Sequence, residues 1–215
     1  MRLRSDSFQA GHRIPAEFAF GRRGDAGEPC VLSSNRNPHL AWDGVPAGTR
    51  SFALWCVDPD VPSSADAVNQ PGRTVPADLP RVRFTHWLIA NLPGELREIA
   101  AASCSEGITP RGKRNPPGPP GSVQGRNDYT AWFAGDPEME GQYLGYDGPC
   151  PPFNDALPHR YFFRLFALDV ERLDLEPGFD AATLLRAMHG HVLAETALYG
   201  VYSLNPSLEP AGDRG

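Results

Sequence analysis

The chain has 215 residues, a formal net charge of −6, and a composition that is 40% hydrophobic and 10% aromatic. This length favours one domain with a single core, so we predict one domain over 1–215 with its core at about 8–204. The negative charge offers no general attraction to nucleic acid or to an anionic membrane surface, so we expect no nucleic-acid partner.

The expected compartment follows from the segments that the chain lacks. The first 15 residues contain no apolar core of signal-peptide length, and no later stretch is apolar enough to span a bilayer. We therefore expect a cytoplasmic protein with no stable membrane insertion. The cysteines form no CxxC pair, and in a reducing compartment we expect free thiols rather than a disulfide framework. They are Cys30, Cys56, Cys104 and Cys150.

The first half of the chain predicts short strands joined by ordered loops, as its many prolines and glycines favour. Phe8–Phe20 and Pro29–Leu32 are the first predicted strands. Ser51–Asp58 is apolar at nearly every position, which is typical of a strand buried on both faces. The segment 58–62, Asp-Pro-Asp-Val-Pro, should end that strand abruptly. Two carboxylates beside a buried strand are costly unless they serve a purpose, and a solvated turn is the competing interpretation.

A second apolar strand is predicted at Arg83–Leu92, after a surface loop at Ser63–Pro80. A short helical turn is expected within Glu95–Ser105. Strict alternation along the strand would give one face with a histidine among apolar residues, where a histidine is more often a satisfied core residue than a ligand. The members of that face are Phe84, His86, Leu88 and Ala90.

The longest aromatic run begins at His159 and predicts an interior strand, because both of its faces are apolar. Alternation puts His159 and Tyr161 side by side on one face, together with Phe163, and Arg160 on the other. The preceding loop, Gly148–Pro152, is stiffened by prolines that donate no hydrogen bond. Such a loop can form a pocket wall, although an ordinary turn before a core strand is the simpler interpretation.

The carboxyl-terminal part predicts one helix at Asp180–Leu198, with Asp180 as its N-cap. Gly190 inside that helix would cost about 1 kcal/mol relative to alanine, so we expect close packing against the sheet to require it. Val201–Leu204 is predicted as a last short strand, and the tail to Gly215 should fray.

Three sequence blocks resemble the signature motifs of the phosphatidylethanolamine-binding protein family. They read DPDVPS at 58–63, THWLIANLP at 85–93 and GPCPPFNDALPHRYFFRLFALD at 148–169. The chain is similar to the bacterial and archaeal branch, often labelled "Raf kinase inhibitor-like", over nearly its whole length. It departs from the pattern in a long loop at 63–83 and an insertion at 131–144, which leave ligand size and access open.

The resemblance implies a mainly β fold: a large antiparallel sheet packed against a smaller one, with a few peripheral helices including a C-terminal one. It also implies a small anion-binding pocket at the strand ends. Residue-by-residue transfer gives its lining as Asp58, Pro62, His86, Gly148, Pro149, His159 and Tyr161, with Asp60 at the rim. In such a pocket we expect Asp58 to accept a hydrogen bond from one nitrogen of a histidine while the other nitrogen faces the anion.

The function implied by the resemblance is non-catalytic binding of a phosphate-bearing or other anionic small molecule, without a cofactor or a metal. Regulation through an unidentified protein partner and a homodimer are further expectations by family analogy. A kinase-regulating scaffold rests on the family label alone.

The alternative is an enzyme, a hydrolase or a metal-dependent one, that uses the same Asp/His/His cluster. Two histidines and an aspartate match the composition of non-haem iron sites, and Cys150 or Ser63 near His159 suggests a nucleophile with its base. We disfavour catalysis because no third group completes a triad and the prolines leave few backbone donors for an oxyanion hole.

Overall fold

The computed structural model describes residues 1–208. The helical segments are the 3₁₀ turns Ala16–Phe18 and Pro206–Leu208 and the helices α1 (Tyr129–Trp132) and α2 (Ala181–Met188). The strands are β1 (Arg2–Arg4), β2 (Gly21–Arg22), β3 (Val31–Leu32), β4 (Leu40–Asp43), β5 (Ser51–Pro62), β6 (Arg81–Pro93), β7 (Glu98–Ile99), β8 (Val123–Gln124), β9 (His159–Leu168) and β10 (Val192–Tyr202).

A five-stranded antiparallel sheet in the order β10-β9-β5-β6-β8 forms the centre of the molecule. A three-stranded sheet (β1-β4-β7) and the β2–β3 hairpin accompany it. The prediction of a mainly β fold with a large and a smaller sheet is confirmed. None of the helices within residues 1–208 has the length and apolarity needed to cross a bilayer.

Both faces of the large sheet are buried, which explains the nearly continuous apolar runs in its central strands. One face packs on the small sheet, where Trp42 meets Phe52 edge to face with ring centroids 5.4 Å apart. The other face packs against Leu184 and Met188 of α2. Burying one such large side chain contributes about 1.5–3 kcal/mol, so the two layers together fix the central strands.

The interior strand predicted from His159 onward is β9, which pairs with β10 on one side and β5 on the other. Tyr161 and Phe163 belong to the core shared with the small sheet, and Phe166 belongs to the core shared with α2. The two predicted faces of this strand are therefore confirmed.

The predicted end of β5 at its acidic turn is wrong. The strand continues to Pro62, and its register against β6 shifts between Asp58 and Val61. The irregularity accommodates Pro59, since a bulge tolerates a residue that cannot donate to the ladder, and Pro62 is the last residue of the strand.

The predicted faces of β6 are also wrong, because the strand contains a bulge. Cys56 pairs with Trp87 while the next residue of β5 pairs with Thr85, so His86 is the extra residue. Leu88 and Ala90 pack on the α2 side. The His86 ring instead contacts Tyr161, with centroids 5.1 Å apart, on the opposite face. The bulge thus turns His86 toward the side of the sheet that carries Tyr161.

The single helix predicted at the carboxyl-terminal end is wrong beyond its first half. Asp180 caps α2 as expected, accepting from the Thr183 amide at 2.8 Å, but the helix ends at Met188 and β10 begins at Val192. Gly190 lies between them with φ +85°, and no heavy atom lies within 4 Å of the point where a β-carbon would stand. Its role is therefore a left-handed turn and not close packing.

Other differences are at the amino-terminal side. Phe8–Phe20 is not a strand: it contains a 3₁₀ turn and a single parallel bridge, Arg13 to Val201. Within Pro29–Leu32 only the last two residues pair, and Glu95–Ser105 holds the short strand β7 instead of a helical turn. The predicted frayed tail at 209–215 lies outside the described residues.

Candidate functional site

A cavity of about 380 Å³ opens at the ends of β5, β6 and β9. Five of the residues predicted for the site line it. They are Asp58, Pro62, His86, His159 and Tyr161. The structure therefore brings together the carboxylate, the two imidazoles and the phenol that the motifs supply, while Asp60, Gly148 and Pro149 do not line the cavity.

Asp60 is engaged elsewhere. Its carboxylate accepts hydrogen bonds from Arg160 Nε at 2.9 Å, Arg160 Nη2 at 2.7 Å and the Arg160 amide at 2.9 Å. Burial raises the pKa of Asp60, but these bonds outweigh it and the pKa is lowered overall. The residue expected at the rim is thus an ion-pair partner, and its arginine lies outside the cavity lining.

Gly148 and Pro149 support the wall from behind. The Pro149 carbonyl accepts from the amides of Phe20 and Gly21 at 2.9 and 3.1 Å, and the Gly148 carbonyl accepts from the Tyr129 hydroxyl at 2.8 Å. The residues that follow them, Cys150 to Pro152, form the wall itself.

His159 is clamped between two carboxylates. Its Nδ1 lies 2.6 Å from Asp58 Oδ2, and its Nε2 lies 3.1 Å from Asp155 Oδ2. Burial lowers the pKa of His159, but hydrogen bonds to Asp155 and Asp58 raise it to about 9 overall. The ring is therefore an imidazolium at neutral pH. The expectation that its second nitrogen faces an anion is wrong, because that nitrogen faces Asp155.

Asp155 extends this cluster to a second cation. Arg81 Nη1 and Nη2 donate to the two oxygens of Asp155 at 2.6 and 3.1 Å. The other carboxylate, Asp58, also accepts a hydrogen bond from the Asp60 amide, through its Oδ1 at 2.7 Å. Two carboxylates thus face one imidazolium and one guanidinium, so the buried cluster is close to charge balance. Sequence reasoning missed Asp155, although it stands four positions before His159 inside the third of the family motifs.

His86 has different surroundings. Its Nδ1 lies 2.7 Å from the Asp147 carbonyl oxygen, which can only accept, so Nδ1 carries the proton. Burial lowers the pKa of His86, and at neutral pH the ring is uncharged. This arrangement leaves Nε2 as the ring nitrogen available to a molecule in the cavity.

Asp147, the residue that fixes His86, is itself held rigidly. Its carboxylate accepts from Asn35 and Asn127 at 2.7 Å each and pairs with Lys113 at 3.1 Å. Burial nevertheless raises the pKa of Asp147 overall. Sequence reasoning missed this residue too, because its partners are scattered over distant loops.

Tyr161 lies on the cavity floor between the two histidines. Burial is the main reason that its pKa is raised well above the ordinary value, and nearby Asp58 adds to the shift. The hydroxyl therefore remains protonated and can donate a hydrogen bond.

The two segments that depart from the family motifs form much of the upper wall. The loop at 63–83 contributes Ala65 and Val68, and the insertion at 131–144 contributes Trp132, Phe133 and Met139. Phe20 and Tyr129 also line the cavity, where their rings stack with centroids 4.6 Å apart. The cavity thus has a polar floor and mainly apolar walls, in which Asn69 and Glu138 are the polar members. Within residues 1–208, no group of three or more His, Cys, Asp or Glu residues is arranged to hold a metal ion.

Comparison with known proteins shows to which family this fold and these motifs belong. The family model of the phosphatidylethanolamine-binding proteins matches residues 4–203. The chain belongs to this family. Membership in it supports a protein of the binding type, and it confirms the family that the three motifs predicted.

Two relatives illustrate the range of organisms in which similar chains occur. A UPF0098 protein of the archaeon Methanothermobacter thermautotrophicus is 38% identical over 202 residues, which cover 94% of this chain and 98% of that protein. The UPF0098 protein YbhB of Escherichia coli is 30% identical over 203 residues, covering 94% of this chain and all of YbhB. These relatives confirm the expected bacterial and archaeal affinity.

Solved structures give the same result for the fold. YbcL of Escherichia coli, described as a member of the mammalian family, superposes with a TM-score of 0.65 at 27% identity, over 94% of this chain and 97% of YbcL. A homologue from Chlamydia trachomatis gives 0.60 at 29% identity, over 94% and 96%.

Proposed function

We propose that this protein binds a small anionic molecule, phosphate-bearing or other, with its charged group against His86 on the cavity floor. The observation that carries the proposal is the fixed His86 ring: its Nδ1 is committed to the Asp147 carbonyl, so its other nitrogen is free to meet a ligand.

The charges around the cavity predict weak binding that is coupled to a proton. Among the described residues that line the cavity none is Lys or Arg, and the His159 imidazolium is already neutralised by Asp58 and Asp155. An anion that meets Nε2 of neutral His86 must therefore bind with a proton, because that nitrogen carries a lone pair. Either His86 becomes charged and donates from Nε2, or a protonated ligand oxygen donates to the neutral ring.

The apolar walls indicate the rest of the ligand. Phe84, Phe133 and Met139 surround the cavity above His86 and offer no charge to a ligand. Burying apolar area there contributes about 25 cal/mol per Å². An anion that carries an apolar portion should therefore bind more tightly than inorganic phosphate.

Catalysis by the same cluster is less well supported. A general base must be able to take up a proton, but His159 is already protonated at neutral pH and donates both of its N–H groups to carboxylates. It therefore cannot activate Cys150 or Ser63 without losing a buried ion pair.

The expected cytoplasmic location, homodimer and regulatory protein partner stay predictions.

The proposal is tested by thermal unfolding of the full chain with phosphate, citrate or phosphoethanolamine. A ligand at one hundred times its dissociation constant adds about 2.7 kcal/mol to the free energy of unfolding, so the melting temperature should rise. His86→Asn should abolish the rise, because an asparagine amide can still donate to the Asp147 carbonyl but provides no nitrogen at the position of Nε2.

His12→Ala is the matched control, since His12 is exposed and remote from the cavity, and it should leave the rise unchanged. No rise with any of the three compounds at millimolar concentration would contradict the proposal. So would an equal rise in His86→Asn and wild type.

A further inference from the structure

Two thiols from distant parts of the chain meet beside the cavity. Cys30 Sγ and Cys150 Sγ lie 3.7 Å apart although the residues are separated by 120 positions. Both sulfurs sit over Gly21, where a methyl group would lie 2.8 Å from Cys30 Sγ and 2.5 Å from Cys150 Sγ. Only a residue without a side chain leaves room for the pair.

The backbone holds the two cysteines in position. Cys30 directly precedes β3 in the β2–β3 hairpin, and Cys150 follows Pro149, whose carbonyl accepts from the amides of Phe20 and Gly21. A disulfide needs a sulfur–sulfur distance of about 2.05 Å, so closure requires a shift of less than about 2 Å.

The two thiols differ in access. Cys30 is exposed, whereas Cys150 is partly buried in the cavity wall. The hydrogen bond with Cys150 lowers the pKa of Cys30, although burial opposes it. Because the thiolate is the nucleophile, Cys30 should react first and Cys150 second. The other two cysteines, Cys56 and Cys104, are buried.

We propose that Cys30 and Cys150 form a reactive pair that a hydroperoxide converts into an intramolecular disulfide. The Cys30 thiolate attacks one peroxide oxygen; the O–O bond breaks, and with hydrogen peroxide one water leaves after protonation. Cys30 is then a sulfenic acid. The Cys150 sulfur attacks the Cys30 sulfur, the S–O bond breaks, and a second water leaves. One peroxide is reduced to two waters as two thiols become one disulfide.

The disulfide would connect two walls of the cavity. The β2–β3 hairpin contributes Leu32 to the lining, and Phe20, which directly precedes the hairpin, lines the cavity as well. The loop after Gly148 contributes Cys150 itself. If the proposed anion binding is correct, oxidation therefore fixes the separation of two segments that line the ligand's cavity. The formation of the disulfide does not depend on that function.

The test uses the full chain without ligand. The folded protein is treated with hydrogen peroxide, its free thiols are alkylated, and its peptides are separated without reduction and identified by mass spectrometry. We expect the Cys30 peptide joined to the Cys150 peptide with the loss of two hydrogens, reversed by dithiothreitol. Cys56 and Cys104 should stay reduced and serve as internal controls.

Two variants separate the steps. In Cys150→Ser, Cys30 should stop as a sulfenic acid that dimedone labels, and in Cys30→Ser no joined peptide should form. Wild-type Cys30 that proceeds to sulfinic acid without a joined peptide would overturn the proposal, as would a link that forms only between separate chains. Equal dimedone labelling of wild type and Cys150→Ser would also overturn it. Wild type alone decides the matter if a variant does not fold.

Discussion

The two histidines at this cavity occupy opposite electrostatic environments. His159 lies between the carboxylates of Asp58 and Asp155, and its pKa is raised to about 9. His86 lies against a neutral carbonyl and aromatic rings, and burial lowers its pKa. The same side chain therefore serves as a permanent structural cation at one position and as a neutral, titratable group at the other. His159 therefore stabilises the fold, and His86 is the residue that we propose contacts the ligand.

The largest effect should come from removing the second carboxylate of His159. Asp155→Asn removes the carboxylate that pairs with both Arg81 and His159. Breaking a buried ion pair typically lowers the free energy of unfolding by about 3–5 kcal/mol. Urea unfolding should show this loss. The control Asp6→Asn removes an exposed partner of Arg4 and should change stability by at most about 1 kcal/mol. If Asp155→Asn lost as little stability as the control, the pairing of His159 with Asp58 and Asp155 would not stabilise the fold.

The next effect concerns pH and stability. The pKa of His159 is about 9 in the folded protein and about 6.5 in the unfolded chain, so its contribution is complete below about pH 6.5. It should be lost as pH rises through about 9, and it amounts to about 3 kcal/mol. For His86 the sign is opposite: its lowered pKa has no effect on stability well above about pH 6.5 and destabilises the folded state as pH falls below that value.

Wild type should therefore be more stable than His159→Gln at low pH. This difference in the free energy of unfolding should shrink as pH rises from about 6.5 through about 9. Ring proton resonances in NMR titration give an independent measurement. A resonance of His159 that titrates below that of His86 would reverse the comparison.

A smaller effect is expected for ligand affinity. Sulfate should bind most tightly below the free-state pKa of His86, and its affinity should fall between that value and the higher bound-state pKa by at most about tenfold per pH unit. Sulfate carries no proton of its own in this range, so calorimetry in two buffers of different ionisation heat should detect protons taken up by the protein. Affinity that stays flat from about pH 6 to pH 8 would show that His86 is not the partner of the anion.

The smallest effect should occur at an exposed histidine with a carboxylate neighbour. His191 Nδ1 lies 2.9 Å from Asp169 Oδ1, but both side chains are more than two-fifths exposed. His191→Ala should change the free energy of unfolding by at most about 1 kcal/mol, because water screens such a pair. A loss of stability as large as that of Asp155→Asn would show that burial is not what makes the ion pairs of His159 stronger than the His191–Asp169 pair.

Much of the fold could be predicted from the sequence where a local pattern decides it. The two faces of β9 follow from alternation, so the placement of His159 beside Tyr161 was correct. The position of His86 was not derivable in this way, since strict alternation puts it with Leu88. The bulge that reverses it is a property of the pairing between β5 and β6.

The other errors have the same physical origin. Val192–Tyr202 is compatible with a helix by its own composition, but as a strand it pairs with β9 along nearly its whole length and satisfies that strand's backbone groups. Asp147 and Asp155 were missed because their roles depend on partners from remote segments. Motifs can therefore indicate which residues gather at the site, but not which of them are already paired.

The parallel bridge between Arg13 and Val201 has a consequence for solubility. β10 is an edge strand of the large sheet, and an unpaired edge is a template for association with another chain. The amides of Gly11 and Ile14 donate to carbonyls of β10, and the Val201 amide donates to the His12 carbonyl. The amino-terminal segment thus covers this part of the edge. A shortened chain that lacks this segment would expose free strand backbone and would become prone to aggregation.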